Sequence, residues 1–123
     1  MTTLSIGIVT YRPDFRTLSQ TIDTLNTCID NSRKAGSLTD ACLIIVDNST
    51  CKAVYNNIEQ MLELSQNHYQ ITTRLLSPPR NILYGMDQYL ALEISTTDYH
   101  LVLNPDVLLD ENSLQNAVEF MQQ

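Results

Sequence analysis

The sequence predicts an α/β fold in which a mostly parallel sheet carries helices on both faces, and three observations lead there. Four short runs, at 4–10, 41–46, about 69–76 and 99–103, read as strands, the first of them β-branched and apolar enough to be buried in a parallel sheet. Between and after them lie stretches whose apolar residues recur at spacings of three and four, as one face of a helix requires. Turn and cap formers separate the two kinds of segment, leaving connections short enough for right-handed crossovers.

The first run, Leu4-Ser5-Ile6-Gly7-Ile8-Val9-Thr10, ends at Tyr11-Arg12-Pro13. Pro13 has the fixed φ of a first helical turn, and Leu18, Ile22, Leu25 and Ile29 then share one face of a helix that stops near Gly36. Ala41 to Val46 is the second strand, closed by Asp47-Asn48-Ser49-Thr50, four consecutive turn or cap formers. Val54, Ile58, Met61 and Leu62 predict a second helix with Glu59 and Glu63 on its other side. A polar link from Ser65 to His68 leads to the third strand, Tyr69 to Leu76. Two prolines make Ser77-Pro78-Pro79-Arg80-Asn81 a stiff loop. A third helix is expected from Tyr84 to Ile94, weakened at its start by Gly85. After the fourth strand, Tyr99 to Leu103, the segment Asp110-Glu111-Asn112-Ser113 caps a last helix whose Leu114, Val118 and Met121 face inwards. The order βαβαβαβα is Rossmann-like, in a single domain over residues 1–123.

With 43% hydrophobic and 17% charged residues, the chain has the make-up of a globular protein. Its net charge of −7 repels nucleic acid and anionic lipid, so neither is an expected partner. Cys28, Cys42 and Cys51 are odd in number and lack metal-ligand spacing, which fits reduced thiols in a cytosolic setting. No basic leader and no apolar run of about 18 residues occurs, so the expectation is a chain neither secreted nor membrane-spanning.

Polar clusters fall at the carboxyl ends of all four strands: Thr10-Tyr11-Arg12, Asp47-Asn48-Ser49-Thr50, Arg80-Asn81 and Asn104-Pro105-Asp106. In a parallel sheet those ends share one rim, where ligands bind. Tyr11 offers a ring for a base to stack on, and Asp47 offers acceptors for a base N–H or a ribose hydroxyl. Arg12 or Arg80 would neutralise phosphate charge, and Asp106 would hold a divalent cation bridging two phosphates. Each residue also has a plainer role: Tyr11 closing a loop, Asp47 capping a helix, Arg80 as a solvated charge, Asn104 to Asp106 as an Asx turn. Coincidence at four strand ends favours a ligand. No GxGxxG follows the first strand, and neither GxxxxGK[ST] nor GxSxG occurs, which argues against the usual dinucleotide, P-loop and serine-hydrolase sites. His68 and His100 show no ligand pattern, and His100 is expected in the core or at a sheet edge.

Four segments carry a resemblance over nearly the whole chain: Ser5-Ile6-Gly7-Ile8-Val9-Thr10-Tyr11-Arg12-Pro13, Ile44-Ile45-Val46-Asp47-Asn48-Ser49-Thr50, Asn81-Ile82-Leu83-Tyr84-Gly85 and Leu103-Asn104-Pro105-Asp106-Val107. Their order and spacing resemble the nucleotide-sugar-binding half of glycosyltransferase family 2, in its rhamnosyltransferase-like branch. The resemblance implies the N-terminal half of a GT-A fold. It also implies sugar transfer from a nucleotide-sugar donor, such as dTDP-rhamnose or a UDP-sugar, to a cell-surface polysaccharide, with Mg²⁺ or Mn²⁺. By it, Thr10 and Tyr11 lie beside the base, Asp47 binds base or ribose, and Asn81 and Gly85 approach the donor. Asn104 and Asp106 occupy the Asp-x-Asp position, with Asp106 engaging the metal and diphosphate. The family's catalytic base comes from a later half, so this chain, ending at Gln123, is expected to bind donor at most, and no residue in it is expected to be the base. A saccharide acceptor belongs to the complete enzyme, with a cytoplasmic location or a peripheral one at the inner face of the membrane. The missing half would leave a sheet edge that invites a homodimer. Two alternatives remain. One is a degenerate, non-catalytic association module of the same fold. The other is a nucleotidyltransferase, which calls for a Gly-rich basic loop where Tyr11-Arg12-Pro13-Asp14 stands.

Overall fold

A computed structural model of the chain describes residues 2–78 and 84–123. Strands and helices alternate: β1 Thr3–Thr10, α1 Phe15–Lys34, β2 Asp40–Asp47, α2 Lys52–Asn67, β3 Thr72–Leu76, α3 Tyr84–Glu93, β4 Tyr99–Leu103 and α4 Ser113–Met121. The strands form one parallel sheet in the order β3-β2-β1-β4. The chain therefore steps outward from β1 to β3 and then crosses back to the other side of β1. Right-handed crossovers require helices on opposite faces for the two directions of travel. That is what is found: α1 and α2 lie on one face and α3 on the other.

The two-residue period of the strands sorts the core into two parts. Leu4, Ile6 and Ile8 of β1 and Ala41, Leu43 and Ile45 of β2 meet Leu18, Ile22, Leu25 and Ile29 of α1, Ile58 and Leu62 of α2, and Leu114 and Val118 of α4. Val9, Ile44 and Val46 point the other way, where Ala91 of α3 and Ile94 just beyond it cover them. Gly7 makes this thinner layer possible. A Cβ there would stand 2.9 Å from Gln88 Oε1, 3.0 Å from His100 Nε2 and 3.1 Å from Ala91 Cβ.

The elements follow the sequence pattern, with differences of physical origin. Asp14 caps α1, its Oδ1 accepting from Arg16 N at 3.0 Å, so Pro13 precedes the cap and is not in the first turn. Gly36 follows the helix with φ +78°, the left-handed residue that ends many helices. α2 continues through Ser65, expected in a link, because that serine is buried and donates to Asn26 Oδ1 at 2.9 Å. β3 begins at Thr72 and not at Tyr69, since Gln70 takes φ +54° and breaks the extended run. Arg33 pins that turn by donating to Tyr69 O at 2.6 Å and Gln70 O at 3.1 Å, while pairing with Asp40 at 2.8 Å. α4 starts after Asn112, which makes no side-chain cap bond; instead Asp110 Oδ1 accepts from Asn112 N at 3.1 Å. Met121, expected to face inwards, is 58% exposed at the end of that helix. His100 lies half-buried on the edge strand β4, its Nδ1 2.6 Å from Ser5 Oγ. Among the described residues no helix is long and apolar enough to cross a membrane.

Candidate functional site

β1 and β2 end level with each other, Thr10 in register with Asp47. Both side chains are fully buried, and Thr10 Oγ1 donates to Asp47 Oδ1 at 2.9 Å. The same carboxylate oxygen accepts from Ser49 Oγ at 2.7 Å and from Ser49 N at 3.3 Å. Ser49 Oγ in turn accepts from Arg12 N at 2.7 Å, and Asn48 N donates to Thr10 O at 2.7 Å. One carboxylate thus ties the loops leaving the two strands. Asp47 does not cap a helix, because α2 begins five residues on, after Cys51, with no side-chain cap bond. Among the described residues its Oδ2 has no hydrogen-bond partner.

The clamp holds strained backbone. Arg12 has φ +43° and Thr50 φ +54°, and with Gln70 they are the non-glycine residues at positive φ among those described. A left-handed L-residue costs roughly 1–2 kcal/mol, and a β-branched threonine is an outlier there. Such strain persists only where surrounding bonds enforce it, and it clusters at ligand sites. Here Ser49 Oγ grips Arg12 N, and Thr50 Oγ1 donates to Ser49 O at 2.6 Å. Beyond the clamp Tyr11 is 52% exposed, and the Arg12 guanidinium carbon sits 5.3 Å from its ring centroid, within cation–π range. The rim therefore presents an aromatic ring and a positive charge side by side.

On the β4 side, Asn104 and Asp106 are exposed and line an open cleft of about 550 Å³ with Pro13, Asp14 and Thr17. Thr21 Oγ1 donates to Pro105 O at 2.9 Å, fixing this turn against the start of α1. Among the described residues no group of three His, Cys, Asp or Glu gathers to hold a metal. Asp106 and Asp14 supply hard oxygen donors, though Asp14 Oδ1 is already engaged in capping α1. So sparse a donor set does not by itself cage an ion.

The second face adds a carboxylate that the sequence reading missed. Asn48 Nδ2 donates to Asp87 Oδ2 at 2.7 Å, and Asp87 is fully buried on α3. Burial pushes its carboxyl above the ordinary carboxylate range, and among the described residues Oδ1 has no hydrogen-bond partner. The signal was present, because Asp87 and Ala91 are four apart and so share a helix face. Ser49, two residues after Asp47, was likewise legible as an Asx-type turn. Thus Thr10, Asp47 and the Arg12 backbone come together, Tyr11 and Arg12 stack, and Asn104 and Asp106 form a neighbouring cleft. Gly85 lies in the first turn of α3, and Arg80 and Asn81 lie outside the described residues.

Fold and rim together define an α/β protein with a polar, strained edge at the carboxyl ends of its strands. In comparisons with known proteins, no family model and no curated protein matches the chain.

Proposed function

We propose that this chain binds a nucleotide sugar as the donor half of a family-2-type glycosyltransferase. The observation that supports it best is the clamped rim, where Asp47 and Ser49 hold left-handed Arg12 and Thr50 at the edge that takes ligands in open parallel sheets. On this reading Tyr11 stacks on the base and Arg12 faces the diphosphate. Thr10 and Asp47 act by shaping the loops, since both are buried. Asp106, with Asn104, meets the divalent cation and diphosphate, and Arg80, Asn81 and Gly85 border the donor. The donor is dTDP-rhamnose or a UDP-sugar, and in the complete enzyme the sugar goes to a cell-surface polysaccharide. When bound, the cation offsets the charge that develops on the departing diphosphate.

A second reading, an association module of the same fold that binds no donor, is favoured by the complete burial of Asp47. Calorimetric titration with UDP and dTDP, each with and without Mn²⁺, separates the two. Metal-dependent heat that vanishes in Asp106→Ala supports donor binding. No heat with either nucleotide, in a chain shown to be folded, refutes it and leaves the association module.

A further inference from the structure

Beneath α3 a relay of small polar groups joins β4, β1 and the segment between α3 and β4. Ser5 and His100 stand in register across the two strands, on the face that α3 covers. Thr97 Oγ1 donates to Tyr99 O at 2.8 Å, and a carbonyl only accepts, so the Thr97 proton is committed there. Ser95 Oγ, 3.0 Å from Thr97 Oγ1, is therefore the donor of that pair. Ser5 Oγ must then donate to Ser95 Oγ at 2.6 Å, and His100 Nδ1 to Ser5 Oγ at 2.6 Å. The relay runs one way and fixes the neutral imidazole with its proton on Nδ1, leaving Nε2 a bare lone pair.

That nitrogen lies between sheet and helix. It sits 3.0 Å from the point a Gly7 Cβ would take, with Gln88 Oε1 and Ala91 Cβ of α3 at 2.9 and 3.1 Å from the same point. Nε2 is buried, and among the described residues it has no hydrogen-bond partner. A second proton there would place a charge under α3, and burial accordingly pushes the imidazole below its ordinary range. The buried apolar layer that seats the helix is small, made among the described residues by Val9, Ile44, Val46 and Ala91. We infer that His100 is a proton-operated latch: neutral, it keeps α3 seated, and it takes a second proton at Nε2 only with the helix lifted. Acid then shifts the population toward the lifted form, because that form binds the extra proton. The effect reaches the rim, since Asp87, next to Gln88 on α3, accepts from Asn48 in the loop after β2.

Among the described residues, the other titratable or charged groups on this face are Cys42, Arg74, Asp87 and Asp98. Cys42 stands in register with Ser5, and burial pushes its thiol up, so it stays neutral in acid. Arg74 belongs to β3, at the opposite edge of the sheet from His100. Asp98 turns to β1, its Oδ2 accepting from Thr3 N at 3.0 Å and from Thr3 Oγ1 at 3.3 Å. None of these groups bonds or ion-pairs with His100. Below the ordinary value of 6.5 the lifted form takes up a proton that the seated form refuses. The ratio of seated to lifted helix therefore falls by up to about tenfold per pH unit, until His100 titrates in place. Asp87 contributes a dependence of opposite sign, which a comparison of proteins that both retain it cancels.

Nitrogen NMR of the imidazole rings over a pH series tests this on the unaltered chain, with His68→Gln, at an exposed position, assigning the two sets of signals. The expected result for His100 is a neutral ring protonated on Nδ1, titrating below 6.5. Amide exchange, corrected for its intrinsic pH dependence, is then compared between the unaltered chain and His100→Asn, whose amide keeps a donor for Ser5 Oγ and does not titrate. From about pH 7 to about pH 5.5, α3 should lose protection in the unaltered chain, and much less in His100→Asn, while α1 keeps its protection in both. A ring protonated on Nε2 overturns the inference, as does titration at or above the ordinary value. So does α3 protection that holds in acid, or that falls equally in His100→Asn. Loss of protection in α1 in step with α3 overturns it too, since the whole chain and not the helix would then be opening. The ring measurement decides the matter even where His100→Asn fails to fold.

Discussion

Replacing Gly7 by alanine probes how closely α3 must approach the sheet. The new Cβ would meet Gln88 Oε1, His100 Nε2 and Ala91 Cβ at 2.9, 3.0 and 3.1 Å, all below comfortable contact. The first two atoms end side chains, but those side chains are engaged. Gln88 Nε2 donates to Gly7 O at 3.3 Å, and His100 is held at 2.6 Å by Ser5. The helix must therefore lift by a few tenths of an ångström. Overpacking of this kind costs about 1–3 kcal/mol. Against it stands a gain of about 0.4–1 kcal/mol from a stiffer unfolded chain. The net expectation is a loss of about 1 kcal/mol, or roughly 4 °C in Tm for a domain of this size. Urea and thermal unfolding measure it directly. A double-mutant cycle with Ala91→Gly, which removes one of the three obstructions, should show the cost of Gly7→Ala falling by about 0.5 kcal/mol or more. A Gly7→Ala protein as stable as the parent, or more so, would refute the close approach of α3.

Asp47→Ala removes the acceptor of Thr10 Oγ1, Ser49 Oγ and Ser49 N, and hydrogen bonds to a charged group carry about 1.5–3 kcal/mol, so a loss of about 3 kcal/mol in urea unfolding is expected. Asp47→Asn, which keeps an oxygen there, should lose markedly less. Thr50→Gly relieves a left-handed threonine and should raise stability by about 1 kcal/mol while weakening nucleotide binding, because the loop loses its fixed shape. If stability falls, the strain assigned to that residue is wrong. Asp87 gives a pH dependence of definite sign. Its folded pKa is raised above the ordinary 3.8, so from that value upward the native state holds the proton the unfolded chain has released, and stability declines as pH rises through the window. Asp87→Asn should remove that decline, and an unchanged slope in urea midpoints against pH would count against a strained buried carboxyl.

Most of the fold was legible because hydrophobic period and turn chemistry agreed along the chain. The strand positions of Leu4 to Thr10 and Ala41 to Val46 and the inward face of α1 follow directly from that agreement. What the sequence hid were polar residues used inside. Ser65 reads as a linker until Asn26, far away in sequence, is seen to accept its proton. Gln70 carries no local sign of its left-handed turn, which Arg33 imposes through two backbone carbonyls. At the rim the sequence picked out Thr10, Tyr11, Arg12, Asp47, Asn104 and Asp106 from their places after strands. It did not show that Asp47 faces inward to Thr10 and Ser49, because that depends on the register of β1 against β2. Asp87 was passed over for a related reason: its partner, Asn48, lies in the loop after β2, distant in sequence.

The proposed donor site requires the ends of β1, β2 and β4 to serve one ligand. Amide chemical-shift mapping of the labelled chain, titrated with UDP or dTDP in the presence of Mg²⁺, tests it most directly. Saturable shifts are expected at 10–12, 47–50 and 104–106 together, with those at 104–106 lost when the cation is removed. Shifts confined to other surfaces, or none at saturating nucleotide, would contradict it.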